Sequence, residues 1–566
     1  MTQAPVQGTS SEDAVEFLPA HLLLARWAAQ MPDREFLLQP VNGTLHSISF
    51  KEALAQSSRM AAALLDLGLA PGDKVAILGK NCAEWVLADL AIAMAGMISI
   101  PIYPTASADT IAYIIGHSDT RAVFAGKLDD ADSISRAIPQ ALPSIAFPYP
   151  TIECGYRWED LVASTEPLVA LPEPAAEDTM TILYTSGSTG RPKGVVISYR
   201  AYVYGCQAAL ERVGLGTEDR ILSYLPLAHV TERMAGTGLS MYAGAKIYFV
   251  ETLETFVADL RTANPTAFGS VPRLWVKFQS GVHAKIAPAK LKLLLSVPLL
   301  NRLIARKIRE SLGFKNCKLF ASGSAPISPT TLRWYRKLGI DISEGWGMTE
   351  TSGLSCINLP FSAKRIGTIG LPVNGTEMKI SDQGELLIRC PGLFSEYFKQ
   401  PELTRQAFSD DGFFHTGDKA EWDETLQGFR ITGRVKDIFK SAKGKYVVPV
   451  PIEARLSANP LLEQVCVIGS GLPAPVAVVV LSDAANPLPK ETIERSLEAT
   501  LLNTNQQLES HERLAGVFIA RDEWTTENGL LTPTLKVRRE QLDARYLPLV
   551  DKPFSGALIW EDRHKA

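Results

Sequence analysis

Between about Phe17 and Val250 the chain alternates helical stretches with short, β-branched apolar runs: DKVAILG (73–79), ISIPIY (98–103), RAVFAG (121–126), MTILYTSG (180–187) and AKIYFV (245–250). Such runs, bounded by turn residues and spaced by helices, predict α/β layers around a largely parallel sheet. The pattern continues through PTAFGSVP and CKLFASGSAP. The longest apolar run, VLADLAIAMAGMISIPI from Val86, is broken by Asp89 and Gly96 and meets Pro101. It falls short of the roughly 20 residues that cross a bilayer and predicts a buried helix running into a strand.

From about Ile366 the texture changes to short strands with frequent turns, which predicts a small β-rich, barrel-like subdomain over about 366–430. Beyond Lys436 the chain reads as a separate small α+β unit, with strands at VCVIG and APVAVVVL and helices at ETIERSLEATLLNTN and VRREQL. At 566 residues the chain exceeds what one core serves. The expected domains are 1–435 and 436–566, with the boundary near Arg434–Asp437.

Composition narrows the class. A hydrophobic fraction of 46%, a charged fraction of 21% and a net charge of -4 are ordinary for a soluble globular protein and offer nucleic acid no overall attraction. Seven scattered cysteines, an odd number without a C-x-x-C pair, fit a reducing compartment better than a disulfide framework or a zinc site. The opening MTQAPVQGTSSEDAVEF is polar and acidic, so no export signal is expected and the protein is read as cytoplasmic. One local departure is residues 285–318, where nine Lys or Arg face a single acid, Glu310, around LLLSVPLL. This basic amphipathic surface could rest peripherally on anionic lipid, or be a solvated helix face.

The segment YTSGSTGRPKGV (184–195) is too polar and glycine-rich for core and reads as a loop whose backbone approaches a partner closely. Its N–H groups, hydroxyls and lysine suit phosphate. It is not a Walker A loop, because Pro192 precedes Lys193 and Gly194 follows, so no helix runs on from the lysine. It also lacks the three-glycine spacing of a dinucleotide fingerprint.

Further segments follow in order: YLPLAHVTER (224–233), FGSVPRLW (268–275), SGSAPIS (322–328), EGWGMTET (344–351), HTGD (415–418) with ITGRVKD (431–437), and GLLTPTLKVRR (529–539). Together with the glycine-rich loop they resemble the adenylate-forming superfamily of acyl-CoA synthetases, luciferases and peptide-synthetase adenylation domains, over nearly the whole chain. The resemblance implies that fold, with a large N-terminal domain and a small mobile C-terminal one. It implies that Thr185, Ser186, Gly187, Ser188, Thr189, Gly190 and Lys193 cradle the β- and γ-phosphates of ATP, and that Thr349 contacts the α-phosphate. Thr185 and Glu350 would hold Mg²⁺, for which oxygen donors are suited. Trp346 would stack on adenine along the Gly323-Ser324-Ala325 backbone, within the Glu344-Gly345-Trp346-Gly347 stretch that also borders the nucleotide. Asp418 would hold both ribose hydroxyls with Arg434 beside it. Lys536 would bridge carboxylate and α-phosphate. Lys436 would be the hinge about which the small domain turns, bringing the loop at Gly444 to a coenzyme A tunnel.

These roles match what carboxylate activation requires: neutralised phosphate charge, a ribose anchor, an adenine slot and a cation at the reacting centre. LPLAHVTER, SVPRLW and LTPTLKVRR look most like the long-chain branch, with His229 beside the carboxylate, although a buried histidine that only shapes the pocket fits the same pattern. The implied activity is ATP-dependent ligation of a long-chain or similarly bulky carboxylic acid to CoA. Transfer to a carrier protein, an aromatic or sterol-type acid, and a non-catalytic acyl or nucleotide sensor are the alternatives.

Overall fold

The computed structural model describes residues 6–8, 16–185, 191–526, 528–532, 536–550 and 556–561. At its centre is an eight-stranded sheet. Strand Lys74–Leu78 lies between Ile98–Ile102 and Thr120–Ala125, all parallel, and Ser144–Ala146 and Tyr156–Arg157 extend that side. Val75, Ala76, Ile77 and Leu78 are wholly buried, as expected for a parallel sheet covered on both faces. The Val86 run is a buried helix, Ala83–Met94, turned by Gly96 at φ 68° into strand Ile98–Ile102.

On the other side Ile98–Ile102 pairs with Thr179–Thr185, which forms an antiparallel hairpin with Lys193–Ser198. The described ends of the glycine-rich segment, Tyr184–Thr185 and Lys193–Val195, are therefore paired strand residues. Ser198 ends the second strand and caps the next helix, Tyr199–Val213, by accepting from the Ala201 N–H.

The strands predicted before residue 323 are divided among three sheets. AKIYFV supplies Lys246–Phe249 to a four-stranded sheet with Arg220–Ser223, Glu35–Val41 and Thr44–Ser49. PTAFGSVP and CKLFASGSAP supply Ala267–Ser270 and Leu319–Ser322 to a five-stranded sheet, parallel to each other and to Ile342–Met348, which carries EGWGM. Strands buried on both faces read alike whichever sheet they join, so local pattern does not divide them.

The β-rich region is a five-stranded sheet in which Glu377–Ile380, Glu385–Arg389, Phe414–Asp423 and Gly428–Arg434 pair antiparallel. Its edge strand is Val6–Gln7, from the N-terminus, which the local pattern did not predict. Past Lys436 come a short hairpin, Phe439–Lys440 with Tyr446–Val447, and a four-stranded sheet of Leu462–Ile468, Val476–Leu481, Val517–Ile519 and Leu558–Trp560. Helices Pro449–Leu456, Lys490–Asn505 and Arg539–Val550 pack on it, with apolar cores of their own. All seven cysteines are free thiols. No helix among the described residues is long and apolar enough to cross a membrane.

Candidate active site

Lys193 stands directly across the hairpin from Thr185. Its ammonium donates to Glu350 Oε1 at 2.9 Å and to the Tyr397 hydroxyl at 2.7 Å, and lies 3.9 Å from the Tyr397 ring centre. Tyr397 also donates to Glu350 Oε1, at 3.0 Å. Glu350 is buried, and burial alone would raise its pKa. The Lys193 charge, the Lys193 hydrogen bond and Tyr397 outweigh burial and hold it below the usual carboxylate range, so it is ionised. Thr185 Oγ1 is buried with no hydrogen-bond partner among the described residues. An ionised carboxylate and an unsatisfied hydroxyl, tied together by Lys193, are a hard-oxygen donor set that fits Mg²⁺. Ser186, Gly187, Ser188, Thr189 and Gly190 lie outside the described residues.

The turn that carries Thr349 and Glu350 is shaped by two close approaches. A Cβ on Gly347 would stand 1.6 Å from the Gly353 carbonyl oxygen, and one on Gly205 would stand 2.4 Å from that of Ser352. Only glycine allows strand Ile342–Met348 and helix Tyr199–Val213 to close on this turn. The Phe394 N–H donates to the Glu350 carbonyl at 2.9 Å and fixes it from the other side.

Asp418 and Arg434 are cross-strand partners, joined from Arg434 Nε to Asp418 Oδ1 at 2.7 Å. The Trp346 indole N–H donates to the other oxygen, Oδ2, at 2.9 Å. Burial raises the Asp418 pKa, opposed by Arg434, Trp346 and Lys536. Ser324, exposed just beyond strand Leu319–Ser322, is held at φ 66°, an uncommon conformation for a residue with a Cβ. Gly323 packs close to the Gly345 carbonyl, so these two backbone stretches lie side by side. Glu344 accepts from the Gly367 N–H at 2.8 Å, and burial lifts its carboxyl to about 8, so that its side chain serves the 366–367 turn.

His229 caps the short helix Val230–Glu232, its Nδ1 accepting from the Thr231 N–H at 3.1 Å. Burial and the nearby Lys536 charge push its pKa down to about 3. The ring is neutral, and with Nδ1 accepting, its proton sits on Nε2: a fixed hydrogen-bond donor.

Lys536 is brought in from the C-terminal unit. It feels the charges of Arg434, Asp418 and Glu350, and in turn acts on His229. Its side chain is exposed to solvent. Burial and Arg434 lower its pKa, opposed by Asp418 and Glu350. Its backbone is pinned to Thr532, Lys536 N–H donating to Thr532 Oγ1 at 3.1 Å and Thr532 N–H to the Lys536 carbonyl at 2.8 Å.

His229, Glu350, Asp418, Arg434, Trp346 and Lys536 thus form one group of interacting side chains. Lys436 is exposed in the turn 434–437 that leaves this cluster. Gly444 is not brought there in this arrangement: at φ 74° its described contacts are with Lys440 and Ser441 of its own hairpin. Tyr397 was missed by sequence reasoning. It lies in a two-residue edge strand, Glu396–Tyr397, with no chemical motif around it, and only its pairing with Lys193–Ser198 brings it to Glu350.

Comparison with known proteins identifies the fold and the family. The solved adenylation domain of a carboxylic acid reductase from Segniliparus rugosus, bound to AMP and a co-purified carboxylic acid, superposes with a TM-score of 0.78 over 94% of both chains at 23% identity. The anthranilate CoA ligase AuaEII in complex with anthranoyl-AMP superposes equally well, at 0.78 over 95% of this chain and 98% of that one, at 21% identity. The chain is 30% identical to fatty acyl-CoA synthetase A of Dictyostelium discoideum, over 92% of this chain and 87% of that protein. It is 29% identical to the long-chain-fatty-acid–CoA ligase FadD15 of Mycobacterium tuberculosis, over 91% of this chain and 93% of that protein. The AMP-binding enzyme model matches residues 24–398 and the AMP-binding enzyme C-terminal domain model residues 436–557, so the group of side chains just described is that of a chain belonging to the AMP-binding enzyme family.

Proposed function

We propose that the protein is an ATP-dependent carboxylic acid:CoA ligase acting on long-chain or similarly bulky acids. The observation that carries the reading is the grouping of His229, Glu350, Asp418 and Arg434 around Lys536, which the C-terminal unit supplies. Asp418 and Arg434 address the ribose, Trp346 and the 323–325 backbone the adenine, and Thr349 the α-phosphate. Lys193 exchanges Glu350 for the β- and γ-phosphates. Thr185 and Glu350 would hold Mg²⁺, which when bound supplies positive charge to phosphate oxygens.

In the first step a carboxylate oxygen of the acid attacks the α-phosphorus, the bond to the β-phosphate's bridging oxygen breaks, and pyrophosphate leaves with the electron pair. Lys536 offsets the charge where carboxylate and phosphate meet, and His229 donates its Nε2 proton in a hydrogen bond that orients the acid. In the second step residues 436–566 turn about Lys436 relative to 1–435 and bring the Gly444 hairpin to the same group of side chains. The CoA thiol then attacks the acyl carbonyl, AMP departs and the thiol proton passes to water.

The long-chain assignment draws support from the resemblance of LPLAHVTER and SVPRLW to the long-chain branch; these motifs meet where Tyr224 stacks on Phe268, ring centres 5.7 Å apart, in an apolar core with Phe256, Trp275 and Phe278. Purified protein assayed for AMP release over acetate, benzoate, a ring-bearing acid and C8 to C16 fatty acids, with and without CoA, tests the reading. Each buried CH₂ adds up to about 0.8 kcal/mol, so activity should climb several-fold per two carbons from about C8 to C16 and require CoA for sustained turnover. Equal activity on acetate or benzoate and palmitate removes the long-chain assignment. Turnover indifferent to CoA removes the acceptor.

The same reading places the enzyme in the cytoplasm, at a membrane surface reached through residues 285–318. Helices Pro288–Ser296 and Leu300–Ser311 form a hairpin whose tip exposes Leu293 (66%), Leu299 (74%) and Leu303 (59%) among the exposed side chains of Lys290, Lys292, Arg302, Arg306 and Lys307. Leu299 sits at φ 67°, an outlier for a bulky residue. The protein should co-sediment with phosphatidylglycerol vesicles and not with phosphatidylcholine ones, and release on adding salt. Equal behaviour with both vesicles rejects this contact.

A further inference from the structure

Arg273, at the start of helix Pro272–Lys285, pairs its guanidinium with Glu463 at the start of strand Leu462–Ile468. The pair crosses from the body that carries Glu350 and His229 to the unit that carries Lys536. Two more carboxylates of that unit, Glu523 and Asp483, act on Arg273 electrostatically. Asp483 lies just beyond strand Val476–Leu481, the antiparallel neighbour of Leu462–Ile468. Glu523 is fastened to the same corner through the next residue: the Trp524 N–H donates to Gln464 Oε1 at 3.2 Å, and Gln464 Nε2 donates to the Trp524 carbonyl at 3.1 Å. One arginine therefore faces an acidic corner built by three loop and strand ends.

That corner continues into the segment holding Lys536. Trp524 is buried at 2% exposure, the Leu531 N–H donates to the Thr525 carbonyl at 3.0 Å, and the Arg538 N–H to the Leu530 carbonyl at 2.9 Å. With the Thr532–Lys536 bonds, these make the described residues from Glu523 to Arg538 one hydrogen-bonded unit. A cation gripping one end of it sets where the other end stands.

We infer that Arg273 is a positioning residue for acyl-adenylate formation: by docking the Glu463–Asp483–Glu523 corner it places Lys536 beside His229, Glu350 and Asp418. The inference rests on the proposed role of Lys536 in that half-reaction. Once the C-terminal unit turns for thioester formation the contact opens, so Arg273 serves the first step and not the second.

The test measures the two half-reactions separately, with thermal unfolding as a control. Arg273→Glu sets a fourth carboxylate against three and should lower ATP–pyrophosphate exchange about tenfold, whereas Arg273→Ala, losing a half-exposed pair, should cost about three- to fivefold. Thioester formation from supplied acyl-AMP and CoA should stay within about twofold of wild type. Adding Glu463→Arg to Arg273→Glu should restore exchange, an outcome that a merely structural arginine does not produce. Glu463→Gln reads the same contact from the other side should Arg273→Glu fail to fold. Equal loss of both half-reactions, unchanged exchange, or no rescue by the charge swap overturns the inference. Lys536→Ala run in parallel separates the two ideas: intact exchange there sinks the role of Lys536 itself, whereas lost exchange there with normal exchange in the Arg273 variants sinks only the docking role.

Discussion

Glu232, three residues beyond His229, is 4% exposed, and its Oε1 has no hydrogen-bond partner among the described residues. Burial lifts it to about 8, against opposing hydrogen bonds to Ser223 and the Leu225 backbone. In the unfolded chain the same group titrates near 4.5. Between those values the folded protein keeps a proton that the unfolded chain releases, so stability falls as pH rises through the window and levels off above about 8. Glu232→Gln removes that titration and should raise the melting temperature relative to wild type above pH 8, by the equivalent of about 1–3 kcal/mol, with the gap closing toward pH 5. Melting curves at a series of pH values check this, and a constant gap rejects it. At this scale much was legible. His229, Glu350, Asp418, Arg434 and Lys536 sit in motifs whose residue types announce charge handling, and they converge. Tyr397 and Arg273 were not legible as partners, because an edge-strand tyrosine and a helix-start arginine acquire their roles only from what packs opposite them.

Helix Tyr199–Val213 shows the same division for elements. Its start could be read from Ser198, a capping side chain ahead of an apolar stretch. The glycine at 205 has no local reason, since glycine in a helix interior costs about 1 kcal/mol relative to alanine. The reason is the Ser352 carbonyl, 2.4 Å from where a Cβ would stand. Gly205→Ala should therefore destabilise the protein by about 1–3 kcal/mol in spite of the better helix propensity, and should weaken pyrophosphate exchange by shifting the Thr349–Glu350 turn. A variant that is more stable and fully active would show that the turn gives way freely. The predicted strands formed where expected, but their allocation to three sheets was not legible, because pairing is set by contacts far apart in the chain.

For the whole molecule the proposed turning of residues 436–566 gives the sharpest expectation. Lys436→Pro fixes φ near -65° and removes an N–H, which restricts rotation at the hinge. Acyl-adenylate formation, for which Lys536 already stands near His229, Glu350 and Asp418, should survive, and thioester formation from supplied acyl-AMP should fall on the order of tenfold or more. Unimpaired overall turnover would remove the rotating unit from the mechanism. Gly444 belongs to the same expectation: its hairpin makes its described contacts away from the Lys536 cluster, as suits a loop that works in the second arrangement only.

What the sequence by itself determined is the local grammar: the parallel strands buried on both faces, the helix that runs into Ile98–Ile102, the change of texture near Ile366, and motifs whose order marks the AMP-binding family. These are set by residue type and by spacing along the chain, which a one-dimensional reading contains. Only the tertiary structure decided that Val6–Gln7 completes the sheet beginning at Glu377, that Lys193 spends its charge on Glu350, that Asp418 holds Trp346 edge-on, and that Arg273 meets the acidic corner behind Lys536. Each joins groups tens to hundreds of residues apart. Coulomb attraction and hydrogen bonding act over a few ångströms of space, and the chain must fold before those ångströms exist.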